Sequence, residues 1–299
     1  MKIAVVGRKN GQAVASHSNL TAIINGFVKV AHARGHRVLV DDDTYRHFIA
    51  DPKKFHTTWS LDGEDVEQGK LDSADVGVIF GGDGTMLVNA KDLSKHDIPL
   101  LGVNLGRLGF ITDVPVTLEH EKIIDLLESE SYTIEARSML SMLQGRQTAL
   151  NEVTISRSTG RILEFQVSID GEFAYLARGD GLLISTPTGS TAYALSAGGP
   201  IIHPTAKVFE VVPMFPQTLS CRPLVINDTS TVRFELVKGD AKVYSDGSEV
   251  DQITDGAVLY VEKSKHSVKI IHPQTPEATY NYYFTLREKL NWQRLPGQR

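Results

Sequence analysis

The chain has 299 residues, of which 41% are hydrophobic and 22% charged, and its formal net charge is −5. These values are typical of a soluble globular protein of about two domains, and they give no overall positive field for nucleic acid or an anionic membrane. The single cysteine, Cys221, excludes an intramolecular disulfide framework and a cysteine-based zinc site. No apolar run approaches a membrane span and the first residues lack the features of a signal peptide, so we expect a cytoplasmic protein.

Predicted strands and helices alternate in the first part of the chain. An apolar strand over residues 2–7 precedes an amphipathic helix whose apolar residues, from Leu20 to Ala31, recur at helical spacing. The segment 41–70 has no steady period and is predicted to be a partly irregular insertion. Further strands are predicted at residues 36–40, 76–80 and 98–103. This alternation indicates a parallel sheet with right-handed crossovers.

The pattern changes after Pro115. One helix is predicted over residues 118–128, and closely spaced strands with Asp-Gly turns follow, which indicates an antiparallel sheet or sandwich. The chain ends in a predicted helix over residues 283–290. The predicted strands are 148–156, 163–169, 173–177, 182–185, 232–236, 241–244, 258–262 and 268–271.

The sequence Gly81-Gly82-Asp83-Gly84-Thr85 lies between a predicted strand and a predicted helix. Such a turn lies at the carboxyl end of a strand, where α/β proteins bind ligands. The glycines let backbone N–H groups approach a polyphosphate, whose charge the helix N-terminus favours. A carboxylate beside a phosphate is unfavourable unless it handles a metal ion or takes a proton. The motif therefore suggests phosphoryl transfer to a hydroxyl, and the alternative is a tight turn with an exposed Asp83.

Three other segments are candidate binding sites. The segment 104–110, NLGRLGF, follows the next strand, and its Phe110 is predicted either to stack on a base or to pack in the core. Asn151 and Glu152 offer an amide and a carboxylate suited to a ribose or an adenine edge, or they merely begin an edge strand. The run from Asp180 to Pro200 is rich in hydroxyl groups and small residues and suits a flat ligand; the alternative is a loop in which Ser190 or Thr191 caps a helix.

These segments together resemble a bacterial NAD kinase of the ATP-NAD kinase family. The resemblance rests on GGDGT, on Leu108-Gly109-Phe110, on Asn151-Glu152 and on DGLLISTPTGSTAYALSAGGPI at residues 180–201, and it covers essentially the whole chain. It implies an N-terminal α/β domain (residues 1–114 with a returning tail, 279–299) and a C-terminal β-rich domain (115–278). It also implies ATP-dependent phosphorylation of the 2′-hydroxyl of the adenosine ribose of NAD, giving NADP. A divalent ion, Mg²⁺ or Mn²⁺, and a homo-oligomer, usually a tetramer, are implied as well.

The resemblance also implies roles for individual residues. Asp83 is the general base. The substrate-binding residues are Gly82 and Gly84 for phosphate; Phe110 beside adenine; Asn151 and Glu152 for the ribose on the nicotinamide side; Asp180 for the nicotinamide or its ribose; Thr188, Thr191, Ala192, Tyr193, Ala194, Leu195 and Ser196 for adenosine; and Asp246 near the reaction centre. Ser248 stands where the family often has Gln.

Arg178 is predicted to influence which redox form of the substrate is accepted. Family members with Arg at this position tend to accept NAD and to reject NADH, and we expect Arg178 to act by shape or by pairing with a carboxylate such as Asp180. Two rival functions remain at this stage: a lipid or sugar-phosphate kinase that shares GGDGT, and a non-catalytic NADP sensor. The first leaves the hydroxyl-rich run unexplained, and the second leaves Asp83 unexplained.

Overall fold

The structure is a computed structural model that describes residues 1–7, 17–40, 44, 60–61, 64–65, 67–68, 73–106 and 109–292. It divides the chain into two compact units, with Met1–Glu135 and Lys269–Arg299 in unit 1 and Ala136–Val268 in unit 2. Most of the predicted insertion at 41–70 lies outside the described residues, as do Arg107 and Leu108 of the second glycine-rich segment.

Unit 1 is built on a parallel sheet. Strands β2, β1, β6 and β7 pair in parallel in this order, β5 adds to the β2 edge, and β3 and β4 form a separate antiparallel pair. The N-terminal elements of unit 1 are β1 (Lys2–Val6), α1 (His17–Ala33), β2 (Arg37–Val40), β3 (Ser60–Leu61), β4 (Glu64–Asp65), β5 (Glu67–Gln68), β6 (Val76–Gly81), α2 (Asp83–Leu93), β7 (Leu100–Asn104), β8 (Val114–Pro115) and α3 (His120–Glu128).

The core of unit 1 lies between this sheet and its helices. The apolar stripe of α1 buries Ile24, Phe27 and Val28 completely, and the Phe27 ring meets Phe80 of β6 edge to face at 5.3 Å. Burying a side chain of this size contributes about 1.5–3 kcal/mol to the free energy of unfolding. Helix α3, which the predicted boundary at residue 114 assigned to the second domain, buries Ile123 and Ile124 in the same core and therefore belongs to unit 1.

Unit 2 contains two antiparallel sheets packed face to face. One has the order β13-β12-β17-β20 and the other β16-β15-β14-β11-β18-β19. Phe165 of the first sheet stacks on Phe234, and both belong to the apolar cluster that also holds Ile155 and Ile184 of the second sheet. The remaining elements are β9 (Tyr132–Met142), β10 (Gln147–Ala149), β11 (Glu152–Arg157), β12 (Leu163–Ile169), β13 (Glu172–Gly179), β14 (Gly181–Ser185), α4 (Tyr193–Ser196), β15 (Val208–Met214), β16 (Leu224–Asn227), β17 (Val232–Lys238), β18 (Ala241–Ser245), β19 (Ser248–Ile253), β20 (Val258–Thr275), β21 (Ala278–Thr279) and α5 (Tyr282–Leu290).

The predicted fold class, an α/β domain with a parallel sheet followed by an antiparallel, sandwich-like β domain, is confirmed. The strands β9, β15, β16 and β19 were not among the predicted strands, and two details of the prediction were wrong. The strand predicted at 148–156 is interrupted at Leu150 and Asn151, because their backbone groups bond to side chains and loops instead of a ladder. The strands predicted at 258–262 and 268–271 are one long strand, β20.

The chain returns to unit 1 through the second half of β20. Ile270 pairs in parallel with Leu100 of β7, and the buried imidazole of His272 bonds to the carboxylate of Asp113 and stacks on Tyr280 at 3.7 Å. Helix α5 follows, and its Asn281 side chain caps it by accepting a hydrogen bond from the Phe284 N–H. Among the described residues, no helix is both long and apolar enough to cross a membrane.

Candidate active site

The turn between β6 and α2 carries the GGDGT motif. Gly81 ends β6, Gly82 precedes the helix in an extended conformation, and Asp83 is the first helical residue. Gly81 pairs with Asn104, the last residue of β7, so the two glycine-rich segments leave the sheet side by side. This arrangement was expected from the parallel order of the strands, since the carboxyl ends of parallel strands lie at one edge.

The Asp83 carboxylate binds the second segment through three hydrogen bonds. Its Oδ2 accepts from the Phe110 N–H at 2.8 Å, and its Oδ1 accepts from the Ile111 N–H at 3.2 Å and from the Thr112 hydroxyl at 2.9 Å. The Asn104 amide donates to the Thr112 hydroxyl oxygen at 2.9 Å, which fixes the direction of that hydroxyl. A carboxylate has about four acceptor positions, so one position on Oδ2 remains for a proton or a ligand.

The glycines around Asp83 differ in the space beside them. A Cβ on Gly109 would stand 2.1 Å from both Asp83 Oδ1 and Thr112 Oγ1, so only glycine permits this close approach. A Cβ on Gly82 or Gly84 would meet nothing within 4 Å. The backbone of Gly82 and Gly84 therefore borders open space, as a phosphate-binding turn requires. Phe110 is half-buried, and Lys289 of α5 lies over its ring at 5.8 Å.

Asp246 organises the Asn151–Glu152 pair of unit 2. It lies in the β18–β19 hairpin turn with φ of 47°, and its carboxylate accepts hydrogen bonds from the backbone N–H groups of Leu150, Asn151 and Glu152 at 3.0, 2.8 and 3.2 Å. The Asn151 carbonyl accepts from the Thr186 N–H at 2.9 Å. Asp246 thus fixes the predicted pair by backbone contacts, across a separation of 95 residues for Asn151.

The Glu152 carboxyl is almost fully buried. Burial is the main cause that raises the pKa of Glu152 to about 7, and the nearby charge of Asp246 adds to it. A hydrogen bond from the Tyr193 N–H acts in the opposite direction and lowers this pKa. Tyr193 belongs to the hydroxyl-rich run, so this bond joins two of the predicted binding segments.

The hydroxyl-rich run forms a tight, largely buried turn followed by the short helix α4. Thr188 is buried and accepts a hydrogen bond from the guanidinium of Arg137 at 3.4 Å, and the Thr191 hydroxyl donates to the Thr188 carbonyl. Ser190 does not cap α4: its hydroxyl donates to the Pro187 carbonyl and accepts from the Ile202 N–H. Residue Ala192 precedes α4 and has no side chain that could cap it.

The predicted adenosine-pocket residues differ in their exposure. Tyr193 and Ser196 are exposed, and Thr191, Ala192 and Leu195 are half-buried. Ala194 is completely buried against Leu183, Val212 and Met214, so its side chain anchors α4 to the sheet and is not available to a ligand. Ser248 is exposed at the start of β19 and pairs with Ser245.

The ion pairs near Asp180 differ from the expected one. Arg157 binds Asp180 at 2.9 Å, whereas Arg178 lies 3.7 Å from Glu164. Arg178 therefore pairs with a carboxylate, but its partner is Glu164 and not Asp180, because Arg178 stands opposite Glu164 in the β12–β13 ladder. The Arg178 side chain is 63% exposed and lines an open cavity of about 900 Å³ with Arg161 and Lys238.

Within the described residues, no group of three or more His, Cys, Asp or Glu side chains is placed to hold a metal ion. Mg²⁺ is commonly held by one or two carboxylates together with substrate phosphates.

Comparison with known proteins identifies the family. The model of the ATP-NAD kinase N-terminal domain matches residues 3–132, and that of the ATP-NAD kinase C-terminal domain matches residues 150–273. The chain belongs to the ATP-NAD kinase family. One similar relative is the NAD kinase of Thiobacillus denitrificans, which is 37% identical over 97% of this chain and 96% of the relative. Another is the NAD kinase of Bordetella avium, which is 36% identical over 98% of this chain and 96% of the relative.

Two solved structures share the fold of this ATP-NAD kinase family member. A yeast NADH kinase complexed with NADH has a TM-score of 0.82 at 22% identity, covering 100% of this chain and 90% of the yeast chain. An NAD kinase from Archaeoglobus fulgidus in complex with ATP has a TM-score of 0.68 at 23% identity, covering 97% of this chain and 98% of the archaeal chain.

Sequence reasoning missed four residues of this ATP-NAD kinase family member. Thr112 donates a hydrogen bond to the Asp83 carboxylate, and Gly109 leaves room for that carboxylate. Arg157 pairs with Asp180, and Glu210 lies beneath the hydroxyl-rich run. Gly109 was noticed only as part of a motif. No local pattern singles out Thr112, Arg157 or Glu210, because their partners are remote in the chain.

Proposed function

We propose that this chain transfers the terminal phosphoryl group of ATP to the 2′-hydroxyl of the adenosine ribose of NAD, giving NADP. The observation that carries the proposal is the Asp83 carboxylate, held by three hydrogen bonds beside a glycine turn whose backbone is open to a ligand. The curated relatives are NAD kinases over nearly the whole chain, which supports the same reaction here.

Asp83 takes the proton of the 2′-hydroxyl at Oδ2, the oxygen with an acceptor position left. Because Oδ1 is saturated by two donors, the carboxylate cannot rotate without losing bonds, and so the base is fixed before substrate arrives. The N–H groups at the start of α2 face the phosphates, where the helix dipole favours negative charge.

We assign binding of the dinucleotide to residues of unit 2. Asn151 and Glu152, placed by Asp246, bind the ribose on the nicotinamide side, and Asp180, placed by Arg157, binds the nicotinamide end. The Thr188–Ser196 segment binds adenosine through its exposed and half-buried members, whereas Ala194 acts by anchoring the segment.

A divalent ion, Mg²⁺ or Mn²⁺, would enter with the ATP phosphates and reduce their negative charge. We also propose a homo-oligomer, a tetramer by resemblance, since the edge strand β16 exposes Leu224 and Val225 and the preceding loop exposes Phe215 and Leu219. Sedimentation analysis gives the number of copies. Because ATP and NAD are cytoplasmic metabolites, we place the reaction in the cytoplasm.

The direct test is an assay of the purified protein with NAD and ATP that follows NADP through an NADP-specific dehydrogenase. Parallel reactions replace ATP by inorganic polyphosphate, or NAD by a lipid or sugar acceptor. NADP formation that requires ATP and NAD supports the proposal. Tight NADP binding without any turnover would instead identify a sensor.

Gly82→Ala and Gly84→Ala should raise KM for ATP by about 10–100-fold, since a methyl group would occupy the space that a phosphate needs. Neither variant should lower the thermal midpoint, because each new Cβ meets nothing within 4 Å. Gly81→Ala is the contrasting variant: its Cβ would lie 2.3 Å from the Thr85 hydroxyl, so it should lower the thermal midpoint. Unchanged KM for ATP in the first two variants would contradict the phosphate-binding role.

Arg178→Gly should give measurable phosphorylation of NADH, whereas the native chain should strongly prefer NAD. The reason is that Arg178, which is tied to β12 through Glu164, presents a bulky exposed cation two residues before Asp180. The matched control is Arg161→Gly, an exposed arginine that lines the same cavity. The measurement is the ratio of kcat/KM for NAD and NADH; an equal ratio in all three proteins would refute the role.

A further inference from the structure

Glu210 is a buried carboxyl group that the proposed mechanism does not use. It lies on β15 with 0% exposure, and within the described residues neither carboxyl oxygen has a hydrogen-bond partner. A buried, unpaired carboxylate is strongly unfavourable, so such a group either has a specific task or keeps its proton.

The position of Glu210 places it directly under the candidate binding site. In the sheet of unit 2, Glu210 stands beside Ser185 of β14, which stands beside Glu152 of β11, so the three form a row across the strands. A Cβ on Gly199 would lie 2.5 Å from Glu210 Oε2 and 3.1 Å from the Ala194 carbonyl. The turn that follows α4 therefore covers the carboxyl group.

Ser185 joins this row to Asn151. Its hydroxyl lies beside the Glu210 carboxyl group, but its hydrogen is directed at the carbonyls of Asn151 and Thr186, at 3.2 and 3.0 Å. A hydroxyl has one hydrogen to donate and two positions that accept. Ser185 can keep its bond to Asn151 only if Glu210 is the donor between them.

We propose that Glu210 is a positioning residue that works as a neutral acid: its carboxyl O–H donates to Ser185, which directs the Ser185 hydroxyl to the Asn151 carbonyl and so sets the dinucleotide site. Ionisation of Glu210 would turn the Ser185 hydrogen toward the carboxylate and release Asn151. Burial raises the pKa of Glu210 to about 7. It outweighs the Ser185 hydroxyl, which lowers this pKa because it can donate to the ionised carboxylate, so burial favours the neutral acid.

Among the described residues, only burial and the Ser185 hydroxyl shift the pKa of Glu210, and no positive charge holds the carboxyl group ionised. Its cross-strand neighbours are Ser185 and Val225, and Gly199 covers it. The nearest titratable group in the row is Glu152, one strand beyond Ser185, and its own pKa is raised to about 7 by burial and by Asp246.

The sign of the pH effect follows from the two states. Unfolded Glu210 loses its proton near its ordinary pKa of 4.5, whereas the folded group keeps it to about pH 7, so the folded state binds more protons between these values. Stability from this group is therefore highest at low pH and falls as the pH rises to about 7. Gln cannot ionise but still donates a hydrogen bond, so Glu210→Gln removes this fall.

The experiment compares the native chain with Glu210→Gln, Glu210→Leu and the exposed control Glu262→Gln from about pH 5 to about pH 8.5. As the pH rises over this range, the native chain should lose thermal stability relative to Glu210→Gln. We expect the difference between their thermal midpoints to increase by about 5 °C. KM for NAD of the native chain should rise about fivefold relative to Glu210→Gln, with kcat unaffected. Glu210→Leu should show the raised KM at every pH, and Glu262→Gln should follow the native chain.

Each arm can fail separately. A midpoint difference that does not change with pH would show that Glu210 is not a neutral acid. A growing difference with equal KM values would overturn the positioning role. The KM arm rests on the proposed function, whereas the unfolding arm does not. If the native chain makes no NADP, calorimetric binding of NAD to the same four proteins replaces KM.

Discussion

Asp83→Asn should lower kcat for NADP formation by about 10²–10⁴-fold, the usual effect of losing a general base. The amide cannot take up the proton, because neither its oxygen nor its NH₂ group is basic near neutral pH. Calorimetric binding of NAD should change little, because the dinucleotide contacts are assigned to other residues. The measurement is single-turnover NADP formation together with NAD affinity.

The structure also shows why this variant needs a control. Both carboxylate oxygens accept hydrogen bonds, so an amide NH₂ at Asp83 would face the N–H of Phe110 or the donors at Ile111 and Thr112. Part of the loss could therefore come from a displaced segment. Thr112→Val removes one of these hydrogen bonds but leaves the Asp83 carboxylate in place. We expect this variant to lower kcat by about tenfold or less. If Asp83→Asn and Thr112→Val lower kcat by similar factors, Asp83 has a structural role. Near-native turnover of Asp83→Asn would show that Asp83 is not the general base.

Gly109→Ala should lower kcat by about 100-fold, although residue 109 makes no proposed contact with substrate. The added Cβ would stand 2.1 Å from both Asp83 Oδ1 and Thr112 Oγ1, so the carboxylate or the segment must move by about 1 Å or more. A displacement of this size at a reacting group can cost about 10²-fold. The same overlap should lower stability by about 1–3 kcal/mol.

Gly106→Ala is the matched control for Gly109→Ala. It introduces the same methyl group three residues earlier in the same segment, where a Cβ would meet nothing within 4 Å. We expect near-native kcat and thermal midpoint for Gly106→Ala. Comparable activity of the two variants, measured with saturating NAD and ATP, would refute the claim that the carboxylate must be held in place.

From the sequence alone we predicted the architecture that the structure has, and we proposed GGDGT as the place of the chemistry. Strands and helices alternate in the first part and closely spaced strands follow, and these periods depend only on neighbouring residues. The glycines and the lone carboxylate of GGDGT are likewise local, because a turn that exposes backbone to phosphate must be short of side chains. The boundary between the two units was not local: helix α3 belongs to unit 1 because its apolar face is buried there.

How the candidate site side chains are held depends on contacts between residues that are far apart in the chain. Asp83 meets Phe110 across 27 residues, and Asp246 meets Asn151 across 95. Arg178 pairs with Glu164 and Arg157 with Asp180 because of strand register, which local composition does not encode. Glu210 is an ordinary glutamate in sequence, and it becomes a buried acid because β14 and the turn after α4 exclude water from it. Burial and hydrogen bonding, which set its pKa, are properties of the folded chain.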